Sequence, residues 1–189
     1  MKTLLLLFAS LWIYISIPTD HLTEIKKKKA EIDQYEFKHR NEIITFIKRE
    51  GKGKLIKTKT DEFPDDTEYV YNLLKDDSGH IALIEQIPYS RSGDWYVEWK
   101  HYFDANGKTF CFSNRQSVFN DDVKGGVAVD EMVDYYNPEF NKIDSKSRLT
   151  DKDDKTLERK KSEFDFRDYK YGIYKNVGEC LKAFHINLN

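Results

Sequence analysis

The chain has 189 residues, 34% of them charged and 14% aromatic, with a formal net charge of −2. So many Phe and Tyr side chains exclude a disordered polar tract, and near-neutrality excludes a general pull towards nucleic acid or acidic lipid. Two cysteines, Cys111 and Cys180, are too few for a disulfide framework.

Lys2 precedes an unbroken apolar run from Leu4 to Ile17, which Pro18 stops. A positive start, a short apolar segment and a helix breaker read as a signal peptide over residues 1–18. The run is shorter than the roughly 20 residues that a helix needs to cross a bilayer. Against cleavage stand Tyr14, where a small residue is preferred, and the lysines from Lys26 to Lys29, which favour an uncleaved anchor facing the cytoplasm. No cysteine near residue 18 is available for lipid attachment. The expected localisation is therefore exported, periplasmic or secreted, with an inner-membrane anchor as the alternative.

Residues 19–60 read as a helix followed by a basic segment. Leu22, Ile25, Ile32, Tyr35, Ile43, Phe46 and Ile47 fall on one helical stripe, which predicts a long helix from His21 to Arg49 closed by Gly51 and Gly53. Lys48, Arg49, Lys52, Lys54, Lys57 and Lys59 precede an acidic block of Asp61, Glu62, Asp65, Asp66 and Glu68. Adjacent blocks of opposite charge are expected to lie against each other in solvent.

Residues 61–189 read as an antiparallel sheet domain with a C-terminal helix. Runs at 68–75 and 80–87 flank Asp76-Asp77-Ser78-Gly79, and runs at 95–103 and 108–113 flank Asp104-Ala105-Asn106-Gly107. In D-x-x-G the aspartate accepts turn hydrogen bonds and the glycine takes the left-handed conformation of a three-residue hairpin loop. Asp151-Lys152-Asp153-Asp154 is a third, weaker copy. In the bulged form of the second turn Asp104 faces Lys108, which places Phe103 opposite Thr109 and His101 opposite Cys111. Val97, Trp99, His101 and Phe103 then share one face, and Tyr96, Tyr102, Phe110 and Phe112 the other. Further strands are expected where Val127, Val129, Val133 and Tyr135 alternate, and from Phe164 to Ile173 with a bulge near Arg167. Asn176 and Glu179 cap a short helix whose apolar face is Val177, Cys180, Leu181 and Phe184.

The fold class is thus α+β: an antiparallel β-meander of about five to seven strands with a long N-terminal helix and a short C-terminal one.

Candidate chemistry is sparse. The proposed register makes His101 and Cys111 neighbours, the nucleophile and base of a cysteine hydrolase, but a third orienting group and an oxyanion site are not evident. The histidines show no metal-ligand spacing, and Asp151–Asp154 lacks the glycine and glutamate of a calcium loop. Alternation separates Asp130 and Asp134 from Glu131 as an acid–base set. Gly51-Lys52-Gly53-Lys54 closes a predicted helix instead of opening one, so it reads as a C-cap and no nucleotide cofactor is expected. Cys111 and Cys180 either pair as a disulfide or fill apolar positions as free thiols.

The leading expectation is an exported, non-enzymatic binding or envelope-associated protein. It would hold an unknown protein, peptide or glycan on an aromatic sheet face (Tyr96, Tyr102, Phe110, Phe112) or edge. The alternatives are a hydrolase using Cys111 and His101, and a membrane-anchored protein whose lysines meet a polyanion. Specific nucleic-acid binding is not expected, and membrane contact is expected only with the N-terminal segment uncleaved.

Overall fold

The computed structural model describes residues 20–60, 62–159, 164 and 166–188. The signal peptide or anchor expected at 1–18 lies outside the described residues, as does Asp61 of the acidic block. Among the described residues no helix is long and apolar enough to cross a membrane.

Helix α1 (His21–Lys38) opens on Asp20, whose carboxylate accepts the Leu22 N–H. Its stripe of Ile25 and Ile32 is buried with Leu22 and Tyr35 beside it. The helix does not continue to Arg49. A single 3₁₀ turn (Arg40–Glu42) follows, and Ile44–Arg49 forms strand β1. Crowded β-branched residues (Ile43, Ile44, Thr45, Ile47) lose rotamer freedom in a helix and suit a pleated surface, and a strand sends Phe46 into the core beneath the C-terminal helix and buries Ile47 on the opposite face. Gly51 therefore turns the chain out of a strand and caps no helix; its φ is +66°.

Seven further strands follow: β2 (Ile56–Thr58), β3 (Thr67–Lys75), β4 (Ile81–Pro88), β5 (Trp95–Phe103), β6 (Thr109–Phe119), β7 (Val127–Tyr136) and β8 (Lys142–Asp151). All eight form one antiparallel sheet in the order β2-β1-β3-β4-β5-β6-β7-β8, a meander from β3 onwards. The basic and acidic blocks meet across it: Arg49 Nε lies 2.6 Å from Asp66, Lys48 Nζ 2.9 Å from Glu68 and Lys52 Nζ 3.7 Å from Asp66.

The turns share one hydrogen-bond pattern. The Asp76 carboxylate accepts from Ser78 N and His80 N (3.0 and 2.9 Å), and that of Asp104 from Asn106 N and Lys108 N (2.9 and 2.8 Å). The Asp151 carboxylate does the same for Asp153 and Lys155, with Asp154 at φ +61° in the glycine position. A fourth copy starts at Asn137, whose side chain accepts from Asn141 N while Phe140 takes φ +65°.

One step inside each of three turns the ladder carries an extra residue. Lys75 pairs with Ile81 but Leu74 with Leu83, leaving Ala82 over; Phe103 pairs with Thr109 but Tyr102 with Cys111, leaving Phe110; Tyr136 pairs with Lys142 but Tyr135 with Asp144, leaving Ile143. Ala82 and Phe110 both turn into the core beneath α1.

The opposite face is covered by the C-terminal segment. Tyr169 packs on Trp95 (5.6 Å between ring centres), Tyr171 on Phe112 (5.4 Å) and Tyr174 on His101 (5.4 Å). This segment is not the strand expected from Phe164 to Ile173. It runs lengthwise over β5 on top of the sheet, where its backbone has no strand edge to pair with, and its alternating side chains point down as cover. Helix α2 (Val177–Ala183), capped by Asn176 accepting from Glu179 N at 2.9 Å, then inserts Cys180 and Phe184 beside Phe46, Tyr71 and Phe103.

Replacing Asp104 with Ala removes two turn hydrogen bonds, and replacing Gly107 with Ala strains a residue at φ +73°. Each substitution should lower the unfolding free energy in urea by about 1–2 kcal/mol, whereas Asp104→Asn should retain most of it.

Candidate functional site

The extra residue at Phe110 separates the proposed catalytic pair. His101 faces Phe112 and Tyr102 faces Cys111, so the His101 and Cys111 side chains lie on opposite faces of the sheet. Burial lifts the Cys111 thiol well above its ordinary range and pulls His101 down to about 3, the reverse of a thiolate–imidazolium pair. The hydrolase reading is corrected accordingly. The disulfide reading is corrected too: both cysteines are free, with Cys111 under α1 and Cys180 in the core beneath α2.

The aromatic candidates also divide. Phe112 is 0% exposed and lies on the face covered by Tyr171, not on the face of Tyr96. Tyr102 and Phe110 are buried beneath α1. Tyr96 alone is half-buried and borders open space. Asp130 pairs with Arg159 and Glu131 with Arg148, and among the described residues no three His, Cys, Asp or Glu side chains are grouped to hold a metal.

The open space arises because α1 crosses the strands instead of following them. Its contacts run from Lys26 on Asp144 of β8 (2.6 Å) to Tyr35 on Asp77 in the β3–β4 turn (2.7 Å). A helix about 10 Å wide covers a band of about three residues of each strand, and β5 and β6 have 9 and 11. Beyond that band a concavity of about 870 Å³ lies between Glu36, Arg40 and Glu42 on one wall and Lys57–Thr60 on the other, over a floor of half-buried Thr45, Asn72 and Lys100 and buried Glu85 and Glu98. An adjoining concavity of about 460 Å³ shares Glu36, Arg40, Glu98 and Lys100 and extends to Arg115, Glu131 and Arg148.

A row of polar side chains, one per strand, lies in register across the floor. Thr45 Oγ1 donates to Asn72 Oδ1 (2.9 Å), Asn72 Nδ2 to Glu85 Oε2 (2.9 Å) and Lys100 Nζ to Glu85 Oε1 (2.7 Å). Lys100 also lies 3.0 Å from Glu36 on α1 and 3.8 Å from Glu98. Glu98 accepts from Tyr96 Oη (2.9 Å) and sits 3.9 Å from Arg115. Three carboxylates thus surround one ammonium. Burial, reinforced by the Glu85 charge, pushes Glu36 up to about 7, and burial likewise raises Glu98. Burial alone would lower Lys100, but Glu85, Glu98 and Glu36 outweigh it and hold its pKa above the usual value. Desolvation and the neighbouring Glu98 raise the Tyr96 phenol, which stays protonated as a donor.

Sequence reasoning missed Glu36, Glu85, Glu98, Lys100 and Arg115. Their trace is a charged residue at inward positions of otherwise apolar strands: Glu85 within IALIEQIP, and Glu98 with Lys100 in WYVEWKHYF.

Lys100→Met leaves the carboxylates without their common counter-ion. Stability at pH 8 should fall by about 3–5 kcal/mol, and adding Glu85→Gln should recover part of the loss; urea denaturation at pH 8 and pH 5 measures both, with the smaller loss at pH 5. Comparison with protein-family models, curated proteins and solved structures finds no match to this chain, so a function must be read from the chemistry of this groove.

Proposed function

We propose that this is an exported, non-enzymatic binding protein that takes a glycan in the groove beside α1. The observation that carries the reading is the groove floor, where the partly exposed Asn72, Lys100 and Arg115 are held in place by the buried Glu85 and Glu98. Fixed donors and acceptors of this kind match the paired hydroxyls of a sugar, and the half-buried Tyr96 borders the same space. An apolar peptide finds little here, because the apolar aromatics that would anchor it are buried on both faces. The short apolar run ending at Pro18 supports export.

Calorimetric titration with soluble chito- and cello-oligosaccharides tests the binding. At least one should bind saturably, and Tyr96→Ala and Arg115→Ala should each weaken it about tenfold with unchanged circular dichroism. Binding that neither variant alters, or no saturable binding by either sugar series, overturns the reading. Protein recovered from its native compartment should lack about 16 to 20 N-terminal residues by intact mass; a full-length mass favours the anchored form.

A further inference from the structure

Past Ile32, the last fully buried apolar residue of α1, Tyr35 still packs on the edge of the core and the other contacts with the sheet are polar. Phe37 is 67% exposed and points away from the core. Asp33 accepts from Tyr102 Oη (2.8 Å) and is paired with Lys29 (2.7 Å), and Tyr35 donates to Asp77 (2.7 Å). Glu36 adds the contact of the final turn with the groove floor, through Lys100, which Glu85 also holds.

Glu36 is the one carboxylate of the Lys100 cluster that α1 supplies; Glu85 and Glu98 are fixed on β4 and β5. The groups facing it are Glu85 from β4; Glu98, Lys100 and Tyr102 from β5; Arg115 from β6; Lys29 and Asp33 from its own helix; and Arg40 from the 3₁₀ turn that follows. Glu131 and Arg148 lie farther across the adjoining concavity, and Lys57 and Lys59 stand on the opposite wall. Lys100, with the partly exposed Arg115 at 3.9 Å from Glu98, leaves three carboxylates facing two cations in a partly desolvated site, so such a cluster favours retaining a proton. Glu36 is the member with its side chain on a movable element, and it shares the Lys100 ammonium with Glu85 (3.0 and 2.7 Å), whose charge favours a proton on Glu36.

We propose that Glu36 is a proton-operated clasp: protonated, it bridges Lys100 and Glu85 and pins the last turn of α1 to the sheet, and losing that proton to solvent releases the turn that walls the groove. The clasp acts on the helix itself and needs no ligand; only its consequence for binding rests on the glycan reading.

The sign follows from the two states. Released, Glu36 titrates near its ordinary 4.5; docked, it is pushed up to about 7. The docked state therefore binds the proton more tightly. Its advantage is complete below pH 4.5, declines as pH rises to 7 and is constant above.

Amide hydrogen exchange of the full chain at pH 5, 6, 7 and 8, corrected for intrinsic rates, reads the helix directly. The His39 amide, which donates to Tyr35 C=O at 2.9 Å, reports the last turn, and Ile32 reports the body of the helix. The opening constant at His39 should rise at least about tenfold between pH 5 and 7 and then level off, while Ile32 stays flat. Glu36→Gln should abolish the rise and keep the turn docked, since an amide still donates to Glu85. Glu85→Gln, which removes the carboxylate facing Glu36, should flatten the profile and serves where Glu36→Gln fails to fold. A flat wild-type profile, or a rise that survives in Glu36→Gln, overturns the clasp. Neither result bears on sugar titration, so the two readings fail separately.

Discussion

One extra residue on the return strand of a hairpin decides what each face of this sheet presents. Successive side chains alternate between faces, so an inserted residue shifts the phase of everything that follows it. Phe110 is that residue between β5 and β6. Without it Cys111 stands beside His101 among the aromatics; with it Cys111 pairs with Tyr102 and joins the apolar band under α1. The equivalent residues Ala82 and Ile143 repeat the shift in the flanking hairpins. The three hairpins therefore stay in phase with one another, and the inward positions of β3 to β7 line up as continuous rows across the sheet.

Those rows determine how the two faces are covered. On one side Val97, Trp99, His101, Phe103 and Phe112 make a broad aromatic surface that only a long cover can hide. The chain from Tyr169 to Phe184 lies along it, and Thr109 fastens that cover by donating its amide to Lys175 C=O (2.9 Å) and its hydroxyl to Tyr174 C=O (2.7 Å). On the other side the cover is a single helix laid across the strands. Helix α1 spans β8 to the β3–β4 turn, but its width hides only the end of the sheet nearest those turns. The groove is what remains of the face after a crosswise helix has been placed on it.

The turns were legible in the sequence because their chemistry is local: an aspartate that binds two amides and a residue with positive φ at a fixed distance. The same rule found the capped helix α2. What failed depended on contacts remote in sequence. Residues 43–49 fit a helical stripe, yet β3 supplies partners that make them a strand, with Phe46 against Tyr71 and Ile47 against Val70. Strand β8 reads KIDSKSRLTD and lacks an apolar face, since as an edge strand it is mostly exposed, a composition that discourages pairing with other chains. The alternation from Phe164 to Ile173 is real but serves a segment that presses one side on the sheet without joining it. The groove was the least legible part. Glu36 comes from a helix and Glu85, Glu98 and Lys100 from two strands, and their meeting depends on the β4–β5 register that sets Glu85 opposite Lys100 and on where α1 crosses the sheet.

The polar row across the floor has a cost that its position explains. Removing charged groups from water is expensive, and a buried ion cluster is commonly no more stabilising than apolar residues of the same volume. Apolar side chains at Asn72, Glu85, Glu98 and Lys100 would pack well only with α1 above them, and the helix stops short. They would leave an apolar edge at the half-buried Asn72 and Lys100, where the groove opens to solvent. Polar residues there must satisfy one another, and the in-register chain from Thr45 to Lys100 does so with one hydrogen bond per step. The surplus negative charge at Lys100 is the part that self-satisfaction does not require. Because Thr45, Asn72 and Glu85 already complete the row, Glu36 and Glu98 add electrostatic tension at the single place where the helix wall meets the groove floor.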